Sequence, residues 1–460
     1  MGINNIEKYS FSYSLAKHIV DFWHNKVFYR EVTLLNTQNI PDEGPLIFTP
    51  NHQNALMDAL AMLCTVDRRL VFMARSDIFK KPVIASILYF MRILPIYRIR
   101  DGYESLKKNE EIFQKTIDVL TDKNCALVIL PEGNHSGIRR LRPLKKGFAR
   151  IAFQTEEANN FSLDIKIIPV GIYYDDYEAF RSRLIINFGK PISVKKYYDQ
   201  YREAPAIAIN LLKNELSEHI KSLIINIETE KYYDLINTLR RLYEERLAER
   251  LQISGQKKKS LPAQQLIVNG LQKVVDTEPG KIDLLDQKVH QYLKNLKEIK
   301  LNGVYRIEKT SLGKILSLFC LLVLFFPVYL YGVVNNFIPF SLSIWAKKKI
   351  KDPQFKSSFL YVVSLVAFPL LQTLQTVLVA FFVDHWYWVA AYFVSVPLSG
   401  AFLIYYNNLA NKFQRALKIF KLFRKRKTYM DQLQNDYQEI LNIVDSLLHI
   451  DQADFEKQTR

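Results

Sequence analysis

The chain has 460 residues, 49% of them apolar and 13% aromatic, enough for a sizeable buried core and more than one domain usually holds. Its 63 Lys and Arg outweigh 46 Asp and Glu, giving a formal charge of +17 that points to an anionic partner, either nucleic acid or lipid headgroups. Cys64, Cys125 and Cys320 are scattered without ligand spacing, so neither a disulfide framework nor a zinc site is suggested.

The first residues lack a continuous apolar run and a small-residue cleavage site, so no secretory signal is read there. From residue 1 to about 220, short apolar runs alternate with helical patterns. GPLIFTP, RRLVFMA, CALVILPEG, IKIIPVGIYY and RLIINFG read as strands. The alternation predicts an α/β domain, a mixed sheet flanked by helices. Residues 221–310 turn helical and strongly charged, with the basic ISGQKKKSLP, Ile253–Pro262, read as a loop; this part is expected to be a solvated connector.

Residues 311–411 then change composition. Ile315–Ala346, Ser357–Val383 and Trp386–Asn411 contain 32, 27 and 26 residues without a charge. A spanning helix needs roughly 20, so each stretch is long enough to enter a bilayer. Lys347, Lys348, Lys349, Lys351 and Lys356 separate the first two stretches, and KFQRALKIFKLFRKRK after the third holds eight basic residues and no acid. Both clusters are expected to stay cytoplasmic. Returning the first cluster to that side requires a turn within the first stretch, around YGVVNNFIP, Tyr331–Pro339, and a second turn falls near Asp384 and His385. The expectation is therefore two transmembrane hairpins, followed by a basic amphipathic tail over 412–460.

Polar groups follow three of the strand-like runs. In TPNHQNALMDAL, His52 and Asp58 are candidates for an acid–base pair, because an imidazole accepts a proton near neutral pH and a carboxylate on its other nitrogen fixes its tautomer. On one continuous helix, six residues rotate about 600° and separate the two side chains. They meet only if His52 lies in the turn before the helix, which Pro50 and Asn51 favour. The plainer alternative is a capping and packing role. LPEGNHSGIRRLRPLKKGFARIAF, Leu130–Phe153, ends a strand with a turn containing Gly133 and Gly137, then presents Arg139, Arg140, Arg142, Lys145, Lys146 and Arg150. In PIYRIRDG, Arg98 and Arg100 share a face if the chain is extended. His135 and His385 are poorly placed to form a metal site with another His, and no Gly-rich nucleotide loop is present, so no metal or cofactor is expected.

His52 and Asp58, Arg98 or Arg100, Leu130-Pro131-Glu132-Gly133 and Ile168-Pro169-Val170 occur in the order of the four blocks of the glycerolphosphate and lysophosphatidate acyltransferase superfamily, which the chain resembles over roughly residues 30–200. Five residues, Gln53 to Met57, separate His52 from Asp58, where the usual spacing is four. That spacing, with LRPLKKG and FRSRLIINFGKP, is closer to the glycerol-3-phosphate/dihydroxyacetone-phosphate acyltransferase branch, while Asn134-His135-Ser136 departs from it.

The resemblance implies a membrane-bound O-acyltransferase that moves an acyl group from acyl-CoA or acyl-carrier protein to glycerol-3-phosphate, dihydroxyacetone phosphate or a lysophospholipid acceptor such as 1-acylglycerol-3-phosphate. His52 would be the general base, held by Asp58. Arg98 or Arg100, with Glu132 and Gly133, would position the acceptor, and Lys145 and Arg181 would add contacts to phosphate or CoA. The basic residues concentrate beside the apolar stretches, which suits anionic membrane lipids and leaves no nucleic-acid partner expected. The catalytic domain of this integral membrane protein is expected to face the cytoplasm. The alternative is a non-catalytic lipid-binding scaffold on the same fold.

Overall fold

The computed structural model describes residues 6–97, 103–122, 124–253, 256–301 and 306–459. It divides into two compact units, Met1–Asn226 with Lys347–Tyr361, and Ile227–Ala346 with Val362–Arg460.

The first unit is built on an eight-stranded sheet of β1 Glu31–Leu35, β2 Leu46–Pro50, β3 Arg69–Arg75, β4 Ile93–Ile96, β5 Cys125–Val128, β6 Lys166–Tyr174, β7 Arg183–Phe188 and β8 Ile192–Ser193. The order is β1-β7-β6-β2-β5-β3-β4, with β8 also on β6. All pairs are parallel except β6 with β7 and β6 with β8, so the sheet is mixed, as expected. Helices α1 Phe11–Phe22, α2 Leu56–Leu63, α3 Pro82–Phe90, α4 Tyr103–Thr121, α5 Gly147–Ala158, α6 Tyr198–Glu203 and α7 Pro205–Leu223 complete it.

The five strand-like runs become β2, β3, β5, β6 and β7. Central strands covered on both faces read as unbroken apolar blocks, and LIFTP and CALV are buried at every position. Two amphipathic helices supply cover, α5 through Phe148, Ala149, Ala152 and Phe153, and α7 through Ala208, Leu212, Leu216 and Ile220. Burying a large apolar side chain of this kind contributes roughly 1.5–3 kcal/mol. Gly171 of β6 lies so close to the end of α7 that a Cβ there would sit 2.5 Å from the Leu223 carbonyl oxygen.

The second unit is helical: α8 Tyr233–Leu242, α9 Glu244–Arg250, α10 Gln256–Thr277, α11 Pro279–Glu298, α12 Leu312–Lys349, α13 Pro353–Ala380, α14 Trp386–Lys425, α15 Lys427–Leu447 and α16 Gln452–Thr459, with the end of α12 from Lys347 and the start of α13 to Tyr361 belonging to the first unit. The stretch read as a basic loop is helical from Gln256 onward, with Pro262 inside the helix. α12, α13 and α14 are long and apolar enough to cross a membrane.

The first expected hairpin is not formed. YGVVNNFIP lies within the continuous 38-residue α12. Asn335 and Asn336, read as turn formers, are instead hydrogen-bonded to neighbouring helices: the Asn336 amide nitrogen donates to Ser399 Oγ at 3.1 Å, its oxygen accepts from Gln372 at 2.8 Å, and Gln375 donates to the Asn335 carbonyl at 3.0 Å. Gly332 and Gly400 permit this approach, since a Cβ on either would fall 2.9 Å from an oxygen of the facing helix.

α14 runs antiparallel to α12, as the ring pairs Phe319–Phe413 and Phe325–Phe402 and the Asn335–Tyr392 hydrogen bond show. The basic run beginning at Lys412 therefore stands beside the start of α12, while Lys347–Lys349 form its last turn. If α12 crosses a bilayer once, the two clusters lie on opposite sides of it, against that expectation.

Candidate active site

The site forms where three adjacent parallel strands end. β2 leads into the turn carrying His52, β5 into the turn carrying Glu132, and β6 ends on Tyr174. Ligands of open α/β sheets bind beyond such carboxyl ends.

Asn51 fixes the first turn. Its side-chain oxygen accepts from the Ile172 N–H at 2.6 Å and its amide donates to the Ile172 carbonyl at 3.2 Å, prolonging the β2–β6 ladder by side chain. His52 then lies outside the helix, as the rotation argument requires, and the chain reverses at Ala55, whose φ of +44° and ψ of −123° suit glycine better. This reversal absorbs the five-residue spacing and delivers Asp58 in the first turn of α2.

His52 Nδ1 lies 2.9 Å from Asp58 Oδ2. Asp58 is fully buried, and the same oxygen accepts the backbone N–H groups of Gln53 and Asn54, both at 2.8 Å, while Oδ1 accepts the Tyr174 hydroxyl at 2.8 Å. Burial, reinforced by the Asp58 charge, holds the Tyr174 phenol well above its ordinary range, so it remains a donor. A carboxylate only accepts, so the shared proton resides on Nδ1 and Nε2 carries the lone pair. The result is an imidazole oriented by a desolvated carboxylate, with its basic nitrogen directed elsewhere.

Glu132, read as an acceptor-binding residue, is 2% exposed, and both its oxygens are engaged. Oε1 accepts the His52 N–H at 2.6 Å and Oε2 the Arg142 N–H at 2.9 Å, so the carboxylate ties the His52 turn to the basic loop. Burial raises its pKa to about 7, against the two N–H bonds and the His52 imidazole, which favour the charge. Gly133 has a φ of +66°, closes the Leu130–Gly133 turn, and is overlain by the Lys145 side chain, whose Cγ would sit 3.3 Å from a Cβ at Gly133. The exposed Lys145 ammonium has no ion pair among the described residues. It is a free cation over the Glu132 turn.

Arg181 is used differently. Its guanidinium donates to the carbonyls of Lys26, Val27 and Tyr29, closing the chain segment before β1, so it serves the fold. Arg98 and Arg100 lie outside the described residues. Arg139 is likewise committed, donating to the Tyr174 carbonyl at 2.7 Å under the rings of Tyr173 and Tyr177.

Sequence reasoning missed Tyr174, Gln53 and His135. Tyr174 was the last residue of a strand-like run, the place where a sheet presents side chains to a site. The Gln53 oxygen accepts the Tyr177 hydroxyl while its amide nitrogen is buried without a partner among the described residues, as is Ser136 Oγ. A bound polar group could satisfy either. The His135 ring stands edge-on to His52, 5.2 Å between centroids at 81°; its position three residues after Glu132 in a Gly-bounded turn was the available signal. No group of three or more metal-ligating side chains occurs among the described residues.

Comparison with known proteins bears directly on this arrangement. The family profile named Acyltransferase matches residues 31–173, the span holding His52, Asp58 and Glu132. Over residues 31–173 the chain is similar to an acyltransferase domain. Glycerol-3-phosphate O-acyltransferase 2 of Saccharomyces cerevisiae is 26% identical over 317 residues, covering 64% of this chain and 41% of its own. Glycerol-3-phosphate O-acyltransferase 1 of the same yeast is 28% identical over 145 residues, covering 30% and 19%. The 1-acyl-sn-glycerol-3-phosphate acyltransferase of Limnanthes alba is 28% identical over 109 residues, covering 24% and 37%. The matches thus span less than half the length of these relatives. The crystal structure of the 1-acyl-sn-glycerophosphate acyltransferase PlsC from Thermotoga maritima aligns over 45% of this chain and 78% of its own at 19% identity, with a TM-score of 0.31.

Proposed function

We propose that this chain is a membrane-bound O-acyltransferase of glycerolipid synthesis, transferring a fatty acyl group from the thioester of acyl-CoA or acyl-carrier protein to a hydroxyl of glycerol-3-phosphate, dihydroxyacetone phosphate or 1-acylglycerol-3-phosphate. The observation that carries the reading is the 2.9 Å contact of His52 Nδ1 with a carboxylate that takes four donors. His52 Nε2 removes the proton as the acceptor oxygen attacks the thioester carbonyl; the C–S bond then breaks and the thiol leaves. Asp58 stabilises the imidazolium formed on the way. No enzyme nucleophile is needed, because the acceptor brings its own hydroxyl.

Lys145 above Gly133 is the free cation we assign to the acceptor phosphate, and Arg98 or Arg100 a second. Glu132 acts here by holding the turn, and Arg181 by holding the fold. Of the acceptors, glycerol-3-phosphate is favoured, because the match to the yeast glycerol-3-phosphate O-acyltransferase 2 covers 64% of this chain against 24% for the plant enzyme. The exposed Lys348 and Lys351 would hold the catalytic unit to the cytoplasmic face and its anionic lipids, with no nucleic-acid partner.

The test is thiol release by the purified chain in lipid nanodiscs, with each thioester donor offered against a panel of acceptors. His52→Ala should lower turnover by roughly 10²–10⁴-fold while leaving the protein folded. Unchanged turnover removes His52 from the reaction, and thiol release indifferent to acceptor leaves only a thioesterase.

A further inference from the structure

The segment Lys347–Tyr361, which comprises the end of α12, the loop 350–352 and the first turns of α13, belongs with the sheet rather than with the rest of those helices. Its contacts show why. Lys347 Nζ donates to the Glu178 carbonyl at 2.9 Å, and the Lys347 and Lys356 ammonium groups each lie 3.4 Å from a different oxygen of the Glu178 carboxylate. Gln354 covers Gly137, where a Cβ would come within 3.3 Å of its Cγ and where φ is +62°. Tyr361 donates to the Val20 carbonyl at 3.1 Å and packs edge-on against Phe28 at 5.1 Å. Between these anchors the Phe355 ring meets His135 at 4.8 Å and 89°.

Phe355, His135 and His52 thus form a chain of three rings, each edge to face with the next, ending at the base. From the other side the Arg142 guanidinium donates to the His135 carbonyl at 3.3 Å, which ties the backbone, while the ring itself stands between Phe355 and His52. We propose that this segment is part of the catalytic site, with Phe355, in the first turn of α13, a positioning residue that fixes the His135 ring beside His52. The proposal rests on the acyl-transfer reading above.

The physical reason is charge. His52 becomes an imidazolium during transfer, and a second cation 5.2 Å away would oppose it. His135 faces His52 from the β2 turn, Asp58 from the first turn of α2, Asp352 from the loop and Arg75 from the end of β3; burial, then the His52 charge, hold it below the ordinary imidazole range. Phe355, itself 38% exposed, covers one side of that ring, and removing it lessens the burial that holds the His135 imidazole down.

Phe355→Ala in the full chain should lower kcat about tenfold, keep KM for the thioester donor within about twofold, and move the acid limb of the pH–rate profile upward. Phe355→Tyr should restore both, and Phe355→Leu, which fills space without a ring, should not, which covers the case that alanine unfolds the loop. In a His135→Ala background, Phe355→Ala should add nothing further. Phe359→Ala, one helical turn on and half exposed, should leave kcat as in wild type. The proposal is overturned if Phe355→Ala and Phe355→Leu keep the wild-type kcat and pH profile, or if their losses are undiminished without His135. An inactive wild type, or an active His52→Ala variant, would instead remove the acyl-transfer reading itself.

Discussion

Asp58 and Asn336 are both fully buried polar side chains, one among the strand ends of the sheet and the other between long apolar helices. Asp58 is a pure acceptor surrounded by donors, two of them backbone N–H groups of a turn locked by Asn51, so its charge is compensated from fixed positions and the imidazole it holds keeps one nitrogen unused. Asn336 both gives and receives, and its nitrogen and oxygen are each satisfied by neighbouring helices. The first arrangement leaves a reactive atom over; the second closes on itself and can only hold helices together. Burial of polarity is thus no mark of function until the unused valence is counted.

Three measurements sharpen or break that contrast. Asp58→Asn places an amide among donors and lets the imidazole adopt the wrong tautomer. Turnover should fall by roughly 10³–10⁴-fold, read as thiol release, with stability lower by about 2 kcal/mol. A loss of only a few-fold would mean the carboxylate does not orient the base. Asn336→Leu should lower thermal stability in detergent by about 1–2 kcal/mol and leave turnover alone; a parallel loss of turnover would show that the two clusters act on one another and undo the comparison. The smallest effect is expected at Ala55, whose φ of +44° is strained for alanine. Ala55→Gly should raise stability by roughly 1 kcal/mol in denaturant titration, relief of strain exceeding the entropy glycine adds to the unfolded chain. A decrease would mean that the turn carries no strain.

Much of the sheet was legible because β2, β3, β5, β6 and β7 are apolar blocks of the length a covered strand requires. β1 and β4 escaped notice at the two edges of the sheet. EVTLL opens on a charge, and ILPI contains Pro95, a residue tolerated where the outer side of a strand needs no donor. The His52–Asp58 pair was readable as a requirement on geometry, but the strained Ala55 that meets the requirement has no signature in residue type. The α12 turn was misread for the opposite reason. Gly, Asn and Pro in GVVNNFIP are turn signals locally, yet Gln372 and Ser399 for Asn336, and Tyr392 for Asn335, all distant in sequence, supply the partners that let those asparagines sit within a helix. Phe355 was invisible as a site neighbour, since nothing local ties it to a turn some 220 residues earlier.

The pairing of β1 with β7 sets a timetable for the ribosome. Glu31 finds its register partner Arg183 only after roughly 150 further residues have been made. At about 5–20 residues per second, that is a wait on the order of ten seconds during which a nascent edge is uncovered. β2 also waits for both its neighbours, β5 and β6, so the sheet assembles from its middle late rather than from its start early. Until translation passes Phe188, a chaperone has more to protect here than a finished domain would suggest.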